Sequence, residues 1–243
     1  MKFLTNYYIR MRAPVVVVKG FSIASVWGRA VLEVWRHGVE VPTEYGEKAK
    51  EATLLMVVED PFKEPRVHRG DVLAVVGLKD YMEEVLNGSK DKLVEEGKLP
   101  YTYHERLFKY GADGFNQMDY VIRKLKSTPY TRRAQAITWI PVKDVNLDSP
   151  PCLQRLWFKV YSGKLVLQSE WRSRDLFRAA HMNMLALTEL MKTIALNVGV
   201  ELGSYVDFSN SAHIYEKSYD NVKSFLNVCE KRGFNKSVEA YVI

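Results

Sequence analysis

SPPCLQRLWFKVYSGKLVLQSEWRSRD, residues 149–175, contains two runs of β-forming residues, RLWFKVY and KLVLQSEW, with only Ser162 and Gly163 between them. Such a link predicts two antiparallel strands joined by a tight turn. In front of the first strand, Cys152 stands directly behind Pro150 and Pro151. A thiol needs no proline-stiffened corner to fill a core, whereas a thiol that must face a substrate does. The far end of the second strand runs into the polar cluster RSRD, Arg172 to Asp175.

Outward from this hairpin, strand and helix patterns are mixed. FSIASVWGRAVLEVWRHG (21–38) sets Ile23, Val26, Trp27, Ala30, Val31, Val34 and Trp35 at 3,4 spacing, with Ser22 to cap the helix and Gly38 to end it. TLLMVVED (53–60), DVLAVVGL (71–78) and AQAITWIPV (134–142) read as strands. KDYMEEVLNGSKDKLVEEGKLP (79–100) reads as one or two short helices broken at Gly88, and NQMDYVIRKLKSTP (116–129) as a helix stopped by Pro129. MNMLALTELMKTIALNV (182–198) is apolar nearly all round and is expected to be a buried helix ending at Gly199. SYVDFSNSAHIY (204–215) is strand-like, and EKSYDNVKSFLNVCEK (216–231) is an amphipathic helix. Mixed elements without strict βαβ alternation predict an α+β fold. No repeat, linker or low-complexity stretch divides residues 1–243, so one domain is expected.

Composition narrows the function classes. The chain has 243 residues, 47% hydrophobic and 26% charged. At this size roughly 70–75% of the unfolded surface can be buried, enough for a self-sufficient core. The net charge of +6 favours anionic partners such as phosphorylated metabolites, while the scatter of basic residues along the chain argues against nucleic acid. No apolar run reaches the roughly 18–20 residues of a membrane span, and the opening MKFLTNYYIRMRAPVVVVKG is too β-branched for a signal peptide. Two cysteines, Cys152 and Cys229, make no disulfide framework, which points to a cytoplasmic protein with free thiols. Cys229, on the amphipathic last helix, reads as a core residue. His37, His68 and His104 lack metal-ligand spacing, so no metal is expected, and no GxxxxGK or GxGxxG signature points to ATP or NAD.

Polar groups in apolar surroundings recur at TRR (131–133), Cys152, RSRD (172–175), Asn183 and HIY (213–215). With their flanks, STPYTRRAQAITW, SPPCLQRLWFKVYSGKLVLQSEWRSRD, MNMLAL and SAHIY, they resemble the thymidylate synthase family, a superfamily that also holds pyrimidine nucleotide hydroxymethylases. The family pattern runs from a P-x-S-R-R-like turn through a P-C nucleophile and a Q-R-S-x-D loop to a P-F-N helix and H-[IL]-Y. The spacings from Arg133 to Tyr215 fit it without gaps, over about residues 100–216. The fold this implies is a central mixed β-sheet packed by helices, with one sheet face forming a homodimer interface.

Position by position, the resemblance implies that Cys152 is the nucleophile adding to C6 of a pyrimidine nucleotide monophosphate. Arg172 and Ser173 would hold its phosphate, and Arg132 and Arg133 would reach the phosphate of the other subunit. Asn183 would read the base edge, His213 and Tyr215 the sugar hydroxyl, and Asp175 the pterin. Tyr101, in YTYHER, matches a tyrosine that helps remove the C5 proton, with Arg106 as that motif's arginine. The family's glutamate has its nearest candidates in MEEVLNG, at Glu84 or Glu83. The co-substrate implied is 5,10-methylenetetrahydrofolate or a related reduced pterin, and the reaction is dUMP to dTMP. Alternatives are a 5-hydroxymethylase acting on dUMP, dCMP or CMP, and a non-catalytic relative that binds a nucleotide or RNA.

The chemistry of these residue types agrees. Thiolate addition at C6 makes C5 an enolate-like carbon able to attack a one-carbon electrophile. A permanent cation such as Arg172 is suited to lowering a thiol pKa from about 8.5. The Asn183 amide can accept from uracil N3–H and donate to O4. The chain departs from the family pattern in carrying Leu153 after the cysteine, Glu170 and Trp171 before Arg172, Ala179 or Ala180 at the helix entry, His181 and Met182 before Asn183, and Ser211 two before His213. TEYG (43–46) stands at the phosphate loop, placing Glu44 where an arginine belongs, with Lys48 or Lys50 as substitutes. The apolar AYVI (240–243) corresponds to a C-terminus that closes over folate.

Overall fold

The computed structural model describes residues 14–68, 70–231 and 238–243. Along the chain run β1 (Val15–Gly20), α1 (Ile23–His37), β2 (Val39–Pro42), β3 (Lys48–Val58), α2 (Val72–Asn87), α3 (Asp91–Glu95), α4 (Tyr103–Phe108), α5 (Gln117–Ser127), β4 (Gln135–Ile137), α6 (Pro141–Asp144), β5 (Leu153–Tyr161), β6 (Lys164–Trp171), β7 (Arg174–Asp175), α7 (Ala180–Val198), β8 (Glu201–Tyr215), a 3₁₀ turn (Glu216–Ser218), α8 (Tyr219–Lys231) and β9 (Glu239–Val242). The strands form one mixed sheet in the order β4-β5-β6-β8-β3-β1-β9, with β2 on β3 and β7 on β8. β1 and β3 are parallel through the crossover helix α1, and β6 and β8 are parallel through α7.

Several local signals act as the sequence predicts. Ser22 caps α1 by accepting from Ser25 N, and Gly38 closes it. Ser162 and Gly163 both take positive φ, 49° and 78°, as a two-residue hairpin turn requires. Gly199 ends α7 in the left-handed region at φ 84°. The helices cover one face of the sheet, where Leu54, Met56, Leu156, Phe158, Leu167 and Tyr205 meet Trp27, Met184, Leu187 and Met191 in the core. The other face carries Leu55, Val57, Trp157, Val206 and Phe208, all half-buried.

Three expectations are corrected. DVLAVVGL is not a strand: residues from Val72 onward open the 16-residue helix α2, which also absorbs KDYMEEVLN. A continuous apolar run has no period to separate a strand from a buried helix. AQAITWIPV contributes only the three residues of β4, because Pro141 starts the short helix α6 at its first position. The AYVI segment extends the sheet: β9 pairs antiparallel with β1, Val242 opposite Val16, and lines no part of the cavity described below.

Candidate active site

The hairpin places the thiol. At its turn Tyr161 pairs with Lys164, and this register holds as far as Arg155 opposite Glu170. A β-bulge between Leu153 and Arg155 then shifts the pairing, so that Leu153 faces Trp171. Continued by one residue, the shifted register sets Cys152 beside Arg172, and the Arg172 N–H donates to the Cys152 carbonyl at 3.0 Å. Without the bulge, the turn register would put Cys152 opposite Ser173. Bulges of this kind re-aim side chains at sheet ends.

Cys152 opens into a cavity of about 500 Å³. Its wall also carries Tyr101, Arg172, Ser173, Asp175, Asn183, His213 and Tyr215, so eight residues singled out in the sequence meet in one place. Arg172 Nη2 lies 3.9 Å from Cys152 Sγ. Nη2 also donates to the Pro150 carbonyl at 2.8 Å and Nε to the Pro151 carbonyl at 3.0 Å, and Cζ lies 5.9 Å from the Trp139 ring centre. The two prolines therefore supply carbonyls that hold the guanidinium beside the thiol. Burial pushes the Cys152 pKa up, and Arg172 and then Arg174 oppose that rise without cancelling it. The net direction is opposite to the lowering that the sequence reading expected from Arg172.

Burial, with the Cys152 sulfur second, raises the Tyr101 phenol to about 12. Arg106 is not in the cavity. It is fully buried in a two-pronged pair with Asp144, at 2.8 and 3.2 Å, and its guanidinium lies 5.6 Å from the Tyr101 ring centre. His213 is held below its usual range by burial, with Asp175 acting the other way, and burial raises the Asp175 carboxyl.

Other residues singled out in the sequence lie elsewhere. Arg132 and Arg133 are exposed just before β4 and line no part of this cavity. Glu84 pairs with Lys90 at 2.5 Å, Glu83 accepts from Asn87 at 2.8 Å, and neither faces the cavity. Glu44 does line it, whereas the two proposed substitutes do not: Lys48 pairs with Glu40 at 2.7 Å, and Lys50 donates to the Trp35 carbonyl at 2.8 Å while lying over that ring.

The structure adds residues that the sequence reading missed. Glu51, on β3 directly opposite His213 on β8, lines the cavity and accepts from the Ser211 hydroxyl at 2.7 Å. A carboxylate thus reaches the position beside Ser211 from the neighbouring strand. Tyr81, on α2, lines the cavity and accepts from Asn183 Nδ2. Tyr103 accepts from the Leu153 N–H at 3.3 Å. Arg174, itself on the cavity wall, pairs with buried Asp207 and packs 4.0 Å from the ring centre of Trp171, another lining residue, and Asp207 also accepts from Ser169, Tyr205 and Trp171. Spacing within one element could not have revealed these cross-element pairs. Among the described residues, no group of three or more His, Cys, Asp and Glu is arranged to hold a metal, and no helix is long and apolar enough to cross a membrane.

Comparison with known proteins adds independent findings. Residues 34–235 match the family model described as thymidylate synthase. The chain is 33% identical over 224 residues to a Methanocaldococcus jannaschii protein named "Putative thymidylate synthase", covering 88% of this chain and 97% of that one. A protein of the same name from Methanosarcina acetivorans is 31% identical over 211 residues, covering 86% of this chain and 94% of the relative.

Proposed function

The chain belongs to the thymidylate synthase family, and from that premise we propose that it transfers a one-carbon unit to C5 of dUMP, giving dTMP. The observation that carries this reading is the Cys152 thiol 3.9 Å from the Arg172 guanidinium, on a cavity wall shared with Asn183 and His213.

In the proposed reaction Cys152 loses its proton and its sulfur bonds to C6. The C5=C6 pair moves into the C5–C4–O4 system, and C5 becomes nucleophilic. Asn183 accepts from N3–H and donates to O4, where negative charge grows. After C5 has taken up the one-carbon unit it gives up its proton with the help of Tyr101, whose high pKa keeps a phenol ready to relay it. The electrons left at C5 would expel the carrier from the one-carbon unit, giving an exocyclic methylene, and hydride addition to that carbon would return a pair to C5=C6 and expel the thiolate. Arg172 and Ser173 hold the phosphate, and His213 and Tyr215 take the sugar hydroxyl, with Glu51 steadying His213 through Ser211. A reduced pterin, as co-substrate, supplies the methylene carbon and then a hydride. Asp175, an acceptor on the cavity wall, suits the N–H donors of its ring.

Supply of the remaining phosphate ligands calls for a second copy of the chain. Glu44 stands where a cation would help, and neither Lys48 nor Lys50 is turned to the cavity. We assign that role to Arg132 and Arg133, exposed at the sheet edge, reaching a partner's cavity across a homodimer formed on the sheet face that carries no helix among the described residues.

The test is tritium release from [5-³H]dUMP with methylenetetrahydrofolate, followed by product mass. Cys152→Ser is expected to abolish release and to spare dUMP binding. A product heavier than dTMP by one oxygen, with no oxidised pterin, would instead establish a hydroxymethylase. Nucleotide binding without any release from the unaltered protein would overturn the enzymatic reading.

A further inference from the structure

Two arginines line the cavity wall, and they are held in different ways. Arg172 is partly exposed and leans on two proline carbonyls. Arg174, two residues along on β7, is only 2% exposed. Its Nη1 donates to Asp207 Oδ2, and its Nη2 donates at 2.9 Å to the carbonyl of Ala180, in the first turn of the helix that carries Asn183. Its Cζ packs 4.0 Å from the ring centre of Trp171. Among the described residues its buried Nε–H has no hydrogen-bond partner. Asp207 is completely buried, lines no part of the cavity, and is held by Ser169, Tyr205 and Trp171.

An ion pair of which only the cation reaches a cavity presents its positive end there. The more distant carboxylate weakens that field without cancelling it. Arg174 acts on Cys152 in the sense that favours the thiolate, second to Arg172, and on Tyr81, the partner of Asn183, in the sense that favours its anion. Its field therefore spans the thiol and the base-reading side of the cavity. The phenols of Tyr101, Tyr103 and Tyr215 also face the sulfur, and burial raises all three, so near neutral pH they carry no charge while the two guanidiniums do.

The two cations part company once a nucleotide arrives. A phosphate dianion held by Arg172 offsets that guanidinium just when the thiolate must form. Arg174 already has its counter-charge and is closed to a second anion by burial, so its field persists. Addition of the thiolate then moves negative charge to C5–C4–O4, on the side where Asn183 lies. A permanent, preorganised cation meets that charge without reorganising.

We propose that Arg174 is a second cation of the site, in an oriented pair with Asp207 whose positive end stabilises the Cys152 thiolate and then the negative charge that its addition passes to the pyrimidine ring. The second half of this role rests on the reaction proposed above, whereas the action on the sulfur does not.

The experiment follows iodoacetamide alkylation of the Cys152 peptide by mass as a function of pH, without nucleotide, together with kcat and KM for tritium release from [5-³H]dUMP, all in the full chain. Asp207→Asn removes the counter-charge and keeps the cation. Arg174→Met combined with Asp207→Asn removes both and leaves no buried charge unpaired. Thermal melting checks that each variant is folded. Asp207→Asn is expected to lower the alkylation midpoint and to speed alkylation near neutral pH several-fold. The double variant is expected to raise the midpoint and slow alkylation several-fold. Its kcat should fall at least about tenfold with KM for dUMP within roughly twofold, because the field acts on charge that grows only in the transition state. A merely structural pair would shift both variants the same way or neither, and either result overturns the proposal. If Asp207→Asn does not fold, the double variant decides alone, and an unchanged midpoint there overturns the proposal and leaves the reaction standing. If the double variant does not fold, Arg174→Gln with Asp207→Asn takes its place, since those amides can still bond to each other. Opposite shifts in alkylation with no tritium release from the unaltered protein would uphold the action on the sulfur and overturn the reaction, so the two failures are told apart.

Discussion

Cys152 and Arg172 show how two effects compete at one sulfur. Desolvation favours the neutral thiol, the adjacent guanidinium favours the thiolate, and desolvation is the larger. The alkylation rate of Cys152 should therefore rise with pH toward a midpoint above the roughly 8.5 of a free cysteine. Arg172→Met removes the opposing charge. The midpoint should move higher still, and the iodoacetamide rate at pH 7.5 should fall several-fold, because less of the reactive anion is present. Cys229 gives the internal control, since burial alone raises its pKa to about 11. A variant that alkylates as fast as the unaltered protein would show that the guanidinium does not act on the sulfur. The phosphate-binding role proposed for Arg172 is a separate matter, and alkylation without nucleotide isolates the electrostatic one.

At the scale of elements, legibility followed the range of the interaction. The β5–β6 hairpin, the capped helix α1 and the end of α7 could be read because each depends on residues a few positions apart: Ser162 with Gly163, Ser22 with Ser25, and Gly199 with the turn before it. Gly199 also allows a direct check. A Cβ there would meet no atom within 4 Å, so only its left-handed backbone resists a side chain. Gly199→Ala should cost about 1 kcal/mol, the usual penalty for alanine in that region, measured as a lower urea midpoint with an unchanged slope. The start of α2 was misread because DVLAVVGL lacks alternation and lacks helical spacing, and its helical state depends on continuity with KDYMEEVLN and on packing against α7. Within the candidate site, Cys152, Arg172 and Asn183 could be named because their motifs and the spacings between them resemble a family pattern. Tyr81 and Glu51 could not, because one acts across a helix pair and the other across a strand pair. The bulge that sets Cys152 beside Arg172 was equally hidden, since a hairpin's turn residues specify the register only up to the first irregularity.

For the whole molecule the decisive feature is asymmetry between the two faces of the sheet. One face is sealed by α1 and α7. The other presents Leu55, Val57, Val206 and Phe208 with Trp157, without a helix over them among the described residues. A face of this kind is a natural seat for a second copy, and it lies near the exposed Arg132 and Arg133, since Trp157 Nε1 donates to the Arg132 carbonyl at 3.3 Å. Phe208→Glu puts a charge in the middle of that face. Under the proposed dimer it should yield a monomer by analytical ultracentrifugation, with circular dichroism unchanged and dUMP binding weakened through loss of the proposed contact from the partner's arginines to the phosphate. A monomeric unaltered protein that binds dUMP fully would exclude the arrangement.

The central seam of the sheet joins β3 to β8, strands from opposite ends of the chain. Glu44, Glu51 and Tyr81 come from the first side of that seam, and Cys152, Asn183 and His213 from the second. A protease nick in the exposed stretch at Gly97 and Lys98 would thus divide the candidate site between two fragments. Neither fragment would hold the whole cavity wall alone, and a reassembled cavity would report rejoining of β3 with β8, of β1 with β9 and of α2 with α7, making the protein a natural candidate for split-protein complementation.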